Sequence, residues 1–311
     1  MRLIIELKPE SEQNLLSVDI QFLIPKLIKF VFSKANQEEF AKYQTKPLSD
    51  YLNFNLKISP KPRVYNDTLI VGGNYKLFIT VSSYSKEIIG LLNEGLLKMK
   101  HLLIQNHKFS IQNLELIESQ ISTDTVKVIP MAPVLSGKTA EEQKFPFYFK
   151  WNSPEFMTTI EENIKNEYNS VFNTIPEEGI KVKYDDNYLK FHQNISQIVV
   201  VGKRKQKAIW APLYLSGSKE LIQFALDMGI GLNREQGYGM LDVYTPKPKS
   251  EETVKKPKRV NIDDLLDNFG NTIEYNKKDV VEEEPLDDNE IWNWMKFIDI
   301  HSHIINQIDD G

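Results

Sequence analysis

The chain has 311 residues, 41% of them hydrophobic, and no cysteine. This composition predicts a globular protein with two domains or one large one, and the lack of cysteine excludes disulfides and thiolate metal sites. Glu6 interrupts the first apolar run, and no later run approaches the ~20 apolar residues of a membrane span. We therefore expect no signal peptide, no membrane segment and a cytoplasmic location.

The net charge of −5 is unevenly distributed along the chain. From 245 to 311 there are 9 Lys and Arg against 16 Asp and Glu, whereas 1–244 contains 29 basic and 27 acidic residues. The tail is too polar to bury a core, which predicts disorder. The mildly basic remainder is compatible with a nucleic-acid partner.

The first half of the chain alternates strands and helices. Its apolar periodicity predicts strands over 2–7, 52–58, 67–82 and 109–117 and helices over 19–33 and 86–99. The resulting βαββαβ order is that of a ferredoxin-like unit.

The second half repeats this order less regularly. Extended segments at 126–129 and 148–151 precede a helix over 154–172, strands over 180–184, 195–201 and 207–215, a helix from 218 and a strand over 238–244. We predict an α+β protein with two tandem ferredoxin-like (RRM-like) domains, 1–122 and 123–244. A disordered acidic tail, 245–311, follows them.

A glycine-rich loop lies between the last predicted helix and strand. It contains Gly229, Gly231, Arg234, Gly237 and Gly239. Glycine allows positive φ and close approach, so such a loop can offer bare amides to phosphate oxygens. Dinucleotide-binding and P-loop designs are excluded, because they place the loop before a helix. The structural alternative is a glycine C-cap followed by a bend.

A basic cluster lies between two apolar strands, at the expected tip of a hairpin. It contains Lys203, Arg204, Lys205 and Lys207, which could contact successive phosphates or simply form a solvated turn. Tyr51, Tyr65 and Tyr238 give weak support as aromatics that could stack on unpaired bases.

Three segments resemble the repeat-cleaving CRISPR-associated endoribonuclease family of the RAMP superfamily: 1–9, 127–134 and 228–240, the last being the glycine-rich loop. The resemblance implies a protein that binds CRISPR precursor RNA and cuts each repeat without a metal or other cofactor. A 2′-hydroxyl attacks the adjacent phosphate, leaving 2′,3′-cyclic phosphate and 5′-hydroxyl ends. Whether the chain has CRISPR effector subunits as partners, and whether it forms a homodimer, are both left open by the sequence.

The family's catalytic histidine is missing from the segment that follows the first helix, where Thr45 stands near its expected place. Three alternatives remain. Lys29, Tyr43 and Lys46 could hold and polarise the phosphate, with slow cutting because their ordinary pKa values are far from neutrality. The fold could instead bring in His101, His107 or His192. The third alternative is a non-catalytic RNA-binding subunit.

The end of the tail contains His301 and His303 and resembles the first strand of PHP-family phosphoesterases over about 17 residues. A catalytic metal centre takes three or four protein ligands. We therefore expect no metal site and no metal-dependent phosphatase activity.

Overall fold

The computed structural model describes residues 1–139, 146–192, 194–201 and 204–245. The strands of its first half are β1 (Arg2–Pro9), β2 (Asn14–Ser17), β3 (Asn53–Ser59), β4 (Arg63–Tyr65), β5 (Thr68–Val71), β6 (Lys76–Ser82), β7 (His101–Ile104) and β8 (His107–Ile117). The helices are α1 (Ile24–Lys34), α2 (Gln37–Ala41) and α3 (Lys86–Leu97). Single 3₁₀ turns lie at Val18–Leu23 and Leu48–Asp50.

The main sheet of this half has the order β3-β6-β1-β8-β7, and all its pairings are antiparallel. Without the edge strand β7, this is the strand order 2-3-1-4 of a ferredoxin-like unit, with α1 and α3 as its two helices. A small side sheet has the order β2-β5-β4. The sequence-based prediction for this half is confirmed at the level of the fold.

The core of the first half follows from the two periodicities in its sequence. On β1 the alternating Leu3, Ile5 and Leu7 are buried. On α1 the buried positions Ile24, Ile28, Val31 and Phe32 recur at helical spacing. Burying each such side chain contributes roughly 1.5–3 kcal/mol to folding.

The strands of the second half are β9 (Thr125–Pro130), β10 (Gly137–Lys138), β11 (Phe147–Tyr148), β12 (Ile180–Tyr184), β13 (Ser196–Val201), β14 (Arg204–Ile209), β15 (Leu213–Gly217) and β16 (Leu241–Val243). Its helices are α4 (Pro154–Phe172), α5 (Asp186–Phe191) and α6 (Lys219–Met228), with a 3₁₀ turn at Arg234–Gln236. The sheet order β12-β15-β9-β16 is again 2-3-1-4. The tandem ferredoxin-like prediction is therefore confirmed in this half as well.

The region between β12 and β15 departs most from the sequence-based prediction. The predicted strand over 207–215 is two strands in different sheets, separated by Trp210-Ala211-Pro212. Pro212 has no amide proton for a strand ladder, which explains the break. β13 and β14 pair as a separate hairpin, here called the basic hairpin, which is inserted into the ferredoxin-like order.

The helices and strands do not test the predicted domain boundaries or the predicted tail. The predicted boundary at 122/123 lies in the segment that joins β8 to β9, and it stays a prediction, as does the boundary at 244/245. The predicted disordered tail lies outside the described residues, apart from Thr245. None of the described helices is long and apolar enough to span a membrane.

Candidate functional site

The glycine-rich loop (residues 229–240) begins where α6 ends at Met228. Gly229, Gly231, Gly237 and Gly239 all have φ between 75° and 83°. A Cβ on Gly231 would overlap the carbonyl oxygen of Leu135, and one on Gly239 would overlap that of Ile230. A Cβ on Gly237 would lie 2.9 Å from the ring of Phe54. The close approach that requires these glycines is therefore made by the protein's own backbone and side chains.

The amides of this loop are largely used within the chain. Ile230 N donates to Gly239 O at 2.9 Å, and Gly239 N donates to Pro133 O at the same distance. Leu232 N donates to Leu135 O at 2.8 Å. The hypothesis of a cradle of bare amides is wrong for these groups, because a bonded amide is not free for a phosphate. RNA binding by Gly229, Gly231, Gly237 and Gly239 through other contacts stays a prediction.

Arg234 is also turned inward, with only 7% of its surface exposed. Its guanidinium donates to Met228 O at 3.1 Å and lies 2.7 Å from a carboxylate oxygen of Glu167 on α4. The arginine thus ties the loop to the end of α6 and to α4. RNA contact by Arg234 stays a prediction.

Two of the three tyrosines proposed to stack on bases are buried. Tyr238 is 3% exposed and its hydroxyl donates to Val200 O of the basic hairpin at 3.0 Å, while its carbonyl accepts from Asn53 Nδ2 at 3.3 Å. Tyr51 is 1% exposed. The stacking hypothesis is wrong for the rings of Tyr51 and Tyr238 as they stand, and it remains open for Tyr65, which is 69% exposed.

A cleft of about 580 Å³ lies beside the glycine-rich loop, and we call it the tyrosine cleft. Its walls are Tyr43, Lys46, Ser49, Asp50, Tyr51, Tyr84, Glu167, Ser170, Val171, Phe224, Met228 and Arg234. Two of the three predicted catalytic residues, Tyr43 and Lys46, therefore come together in one cleft. Lys29 lies on α1 and does not line it. Sequence reasoning missed Tyr84 and Asp50, because no local pattern marks either as a cleft residue.

The charges of the tyrosine cleft are balanced. Lys46 and Arg234 are opposed by Asp50 and Glu167. Burial raises the pKa of Glu167, although the neighbouring Arg234 opposes this shift. Because Arg234 is already paired with Glu167, Lys46 is the exposed cation that a phosphate would meet in this cleft.

Two of the three tyrosines of the cleft, Tyr43 and Tyr51, are held in their protonated form. Burial raises the pKa of Tyr43, and nearby Glu87 adds to the effect. Burial raises the pKa of Tyr51 even further. At neutral pH both hydroxyls can donate a hydrogen bond or a proton, whereas neither is suited to act as a base.

None of the three described candidate histidines lines the tyrosine cleft. His192 stacks on Tyr188 with ring centroids 4.0 Å apart. His107 Nε2 lies 3.1 Å from Leu15 O, and His101 begins β7. These imidazoles therefore do not supply a base within this cleft, and a catalytic role for one of them stays a prediction.

The basic hairpin presents cations on β14. Arg204, Lys205 and Lys207 are exposed, and Lys205 and Lys207 share one face of the strand. Lys203 lies outside the described residues. Under the hairpin, Val199 and Ala208 pack on Tyr238 of the glycine-rich loop. The loop therefore supports the hairpin that carries the cations.

In the part of the chain that is described, no three His, Asp or Glu residues are grouped as metal ligands would be. His301 and His303 lie outside this part of the chain. The predicted absence of a metal site there stays a prediction.

Three solved structures share the fold of this chain. A solved structure described as CRISPR associated protein Cas6 matches 79% of this chain and 99% of its own, with 17% identity and a TM-score of 0.62. A Cas6-related protein from Pyrococcus furiosus matches 78% of this chain and 98% of its own, with 17% identity and a TM-score of 0.66. A RAMP protein described as binding different RNA substrates matches 79% and 100%, with 17% identity and a TM-score of 0.64. At this identity the likeness shows a shared fold.

The sequence of the second half also matches a family model. Residues 115–243 match the model "CRISPR associated protein Cas6, C-terminal". This match agrees with the resemblance inferred from the sequence, and the shared fold extends the likeness to the first half of the chain. A comparison with curated proteins gave no match.

Proposed function

We propose that this protein binds the repeat RNA of CRISPR precursor transcripts and cuts it within each repeat. The observation that carries the proposal is the match of residues 115–243 to the Cas6 C-terminal family, in a chain with the tandem ferredoxin-like fold of Cas6 proteins. The exposed cations Arg204, Lys205 and Lys207 of the basic hairpin supply phosphate contacts.

We place the cleavage chemistry in the tyrosine cleft. Strand scission by a 2′-hydroxyl needs positive charge on the crowded phosphate and a proton for the leaving oxygen. Lys46 supplies the charge, and Tyr43 supplies the proton, since its raised pKa keeps the phenol protonated at neutral pH. The products are a 2′,3′-cyclic phosphate and a 5′-hydroxyl, and the step uses no metal. Lys29 is a further predicted contributor, although it lies outside the cleft walls.

The cleft offers acids and a cation but no imidazole to deprotonate the attacking hydroxyl. General bases contribute typically 10²–10⁴-fold to rate, so we expect cleavage that is slow by about that factor. The same observation favours a second candidate function, a non-catalytic subunit that holds the repeat within a CRISPR effector complex. In that second function the CRISPR effector subunits are partners of the chain, and a homodimer stays a prediction for either function.

The test is incubation of the purified protein with its own repeat RNA in excess EDTA under single-turnover conditions. A single cut with a cyclic phosphate end supports the enzyme, and its loss in Lys46→Ala and Tyr43→Phe supports the assigned residues. Retention of intact RNA supports the non-catalytic candidate. Failure of the protein to bind its repeat RNA would overturn both.

A further inference from the structure

The tyrosine cleft contains a buried hydroxyl that nothing in the described chain satisfies. Tyr51 lines the cleft and is 1% exposed, and its hydroxyl has no hydrogen-bond partner among the described residues. A buried polar group without a partner costs about 1–3 kcal/mol, so native proteins contain few of them. Other buried side-chain atoms of the described residues also lack a partner. Among them, only the Tyr51 hydroxyl belongs to a residue that lines this cleft.

The rest of Tyr51 is firmly placed. Its ring packs on Phe32, with centroids 6.4 Å apart, and on Tyr43 at 5.2 Å. Its carbonyl accepts a hydrogen bond from the Ser83 hydroxyl at 2.6 Å. The ring is therefore fixed by packing and by the backbone, and the hydroxyl contributes nothing to that placement.

The side chains over Tyr51 belong to the most exposed part of the cleft. Residues 42–46 form turns and a bend, in which Lys46 is exposed and Tyr43 is half-buried. Tyr43 packs on the Tyr51 ring and lines the same cleft, so a ligand oxygen reaches the Tyr51 hydroxyl only if Tyr43 shifts. The raised pKa of Tyr51 keeps that hydroxyl a donor at neutral pH.

We propose that the Tyr51 hydroxyl is a positioning residue that donates a hydrogen bond to an oxygen of the bound RNA at the floor of the tyrosine cleft. This inference rests on the proposed function and adds to it a residue that holds the substrate beside Lys46 and Tyr43. The acceptor is a phosphate or ribose oxygen, since both accept from a hydroxyl.

The test pairs two conservative variants. Tyr51→Phe removes only the unpartnered hydroxyl. Tyr184→Phe is the matched control, because the partly buried Tyr184 hydroxyl lies outside this cleft and donates to Trp151 O at 2.8 Å. Each variant is assayed for its urea unfolding midpoint and for its affinity for a labelled repeat RNA carrying a 2′-deoxy block at the cleavage site.

For Tyr51→Phe we expect an unchanged or raised unfolding midpoint and an affinity about tenfold lower, the loss typical of one hydrogen bond to a charged group. For Tyr184→Phe we expect a lowered midpoint and unchanged affinity. A similar loss with a DNA oligonucleotide of the same sequence identifies a phosphate oxygen as the acceptor, and a loss confined to RNA identifies a ribose hydroxyl.

Two results would overturn the inference while the proposed function stands. One is wild-type affinity in Tyr51→Phe. The other is a fall in its unfolding midpoint equal to that of Tyr184→Phe, which would show that the hydroxyl has an internal partner. No binding by the unaltered protein would instead overturn the proposed function, and this inference with it.

Discussion

The glycine-rich loop and the segment 42–51 differ in how well their sequences indicate their roles in the structure. The loop is conspicuous in the sequence, yet its glycines face the chain's own atoms and Arg234 is buried against Glu167. The segment 42–51 has no conspicuous motif, yet it supplies Lys46 and two of the three tyrosines of an open cleft. A dense glycine pattern reports where the backbone is constrained, and it does not by itself report where a ligand binds.

Among the variants that test this difference, Gly239→Ala should have the largest effect on the free energy of unfolding. The new Cβ would meet the carbonyl of Ile230 at a residue with φ of 75°, so both a clash and backbone strain oppose it. We expect a loss of about 3 kcal/mol or more in the free energy of unfolding, measured by urea denaturation.

Gly90→Ala is the matched control for that variant. Gly90 lies within α3 and has nothing within 4 Å of its added Cβ. Alanine there should stabilise the protein by up to about 1 kcal/mol. Equal stability of the two variants would contradict the structural role of the loop.

Arg234→Ala should have the next largest effect. It leaves the Met228 carbonyl and the partly buried Glu167 without their partner, and we expect a loss of about 2–3 kcal/mol. Arg234→Lys should recover only part of it, since an ammonium cannot reproduce the forked geometry. Unchanged unfolding together with a tenfold loss of RNA affinity would show that Arg234 instead serves the RNA directly.

The basic hairpin should show the reverse behaviour. Replacing Lys205 and Lys207 with alanine should weaken RNA binding and lower the slope of log affinity against log salt by about 1–2, because two phosphate contacts are lost. The unfolding free energy should change by less than about 0.5 kcal/mol, since both side chains are exposed.

The control for the hairpin is the double alanine replacement of Lys100 and Lys108, exposed lysines of the first half. It should leave the salt slope unchanged. An equal decrease in slope from both pairs would mean that the hairpin is not a specific contact surface.

The smallest expected effect is the pH dependence that Glu167 adds to the free energy of unfolding. Burial raises its pKa, so between the ordinary value and the raised one the folded state binds more protons than the unfolded state. The contribution of Glu167 to stability is therefore complete below its ordinary pKa. It is lost as the pH rises through the raised pKa of the folded state. Glu167→Gln should remove this fall, by less than about 0.5 kcal/mol, because water screens this partly exposed group. A titration by urea denaturation from pH 4 upward, in ~0.5 unit steps, measures it.

Much of the fold follows from sequence patterns that act locally. The helix over Pro154–Phe172 and the strand over Ile180–Tyr184 have the predicted bounds, because each has a clear apolar period. Short elements such as α2, α5 and β7 are not predicted, since four to six residues hold too little periodicity. The break at Trp210-Ala211-Pro212 depends on which sheet each strand joins, and a local pattern does not specify that.

The site was less predictable than the fold. Tyr43 and Lys46 were chosen from their place in the chain, and they do lie together. Arg234, Tyr51 and Tyr238 were interpreted as exposed groups because their types are common in RNA interfaces, but burial is decided by tertiary packing. Glu167 and Ser83 lie far from these residues in the sequence, so their pairing could not be inferred.

We propose that RNA contacts the 42–51 segment, while the glycine-rich loop serves as internal support. Hydrogen–deuterium exchange with and without blocked repeat RNA tests this most directly. We predict that amides of 42–51 gain protection when RNA binds, whereas those of Ile230, Leu232 and Gly239 are already protected and do not change. Protection gained mainly in the loop, with 42–51 unaffected, would contradict the claim.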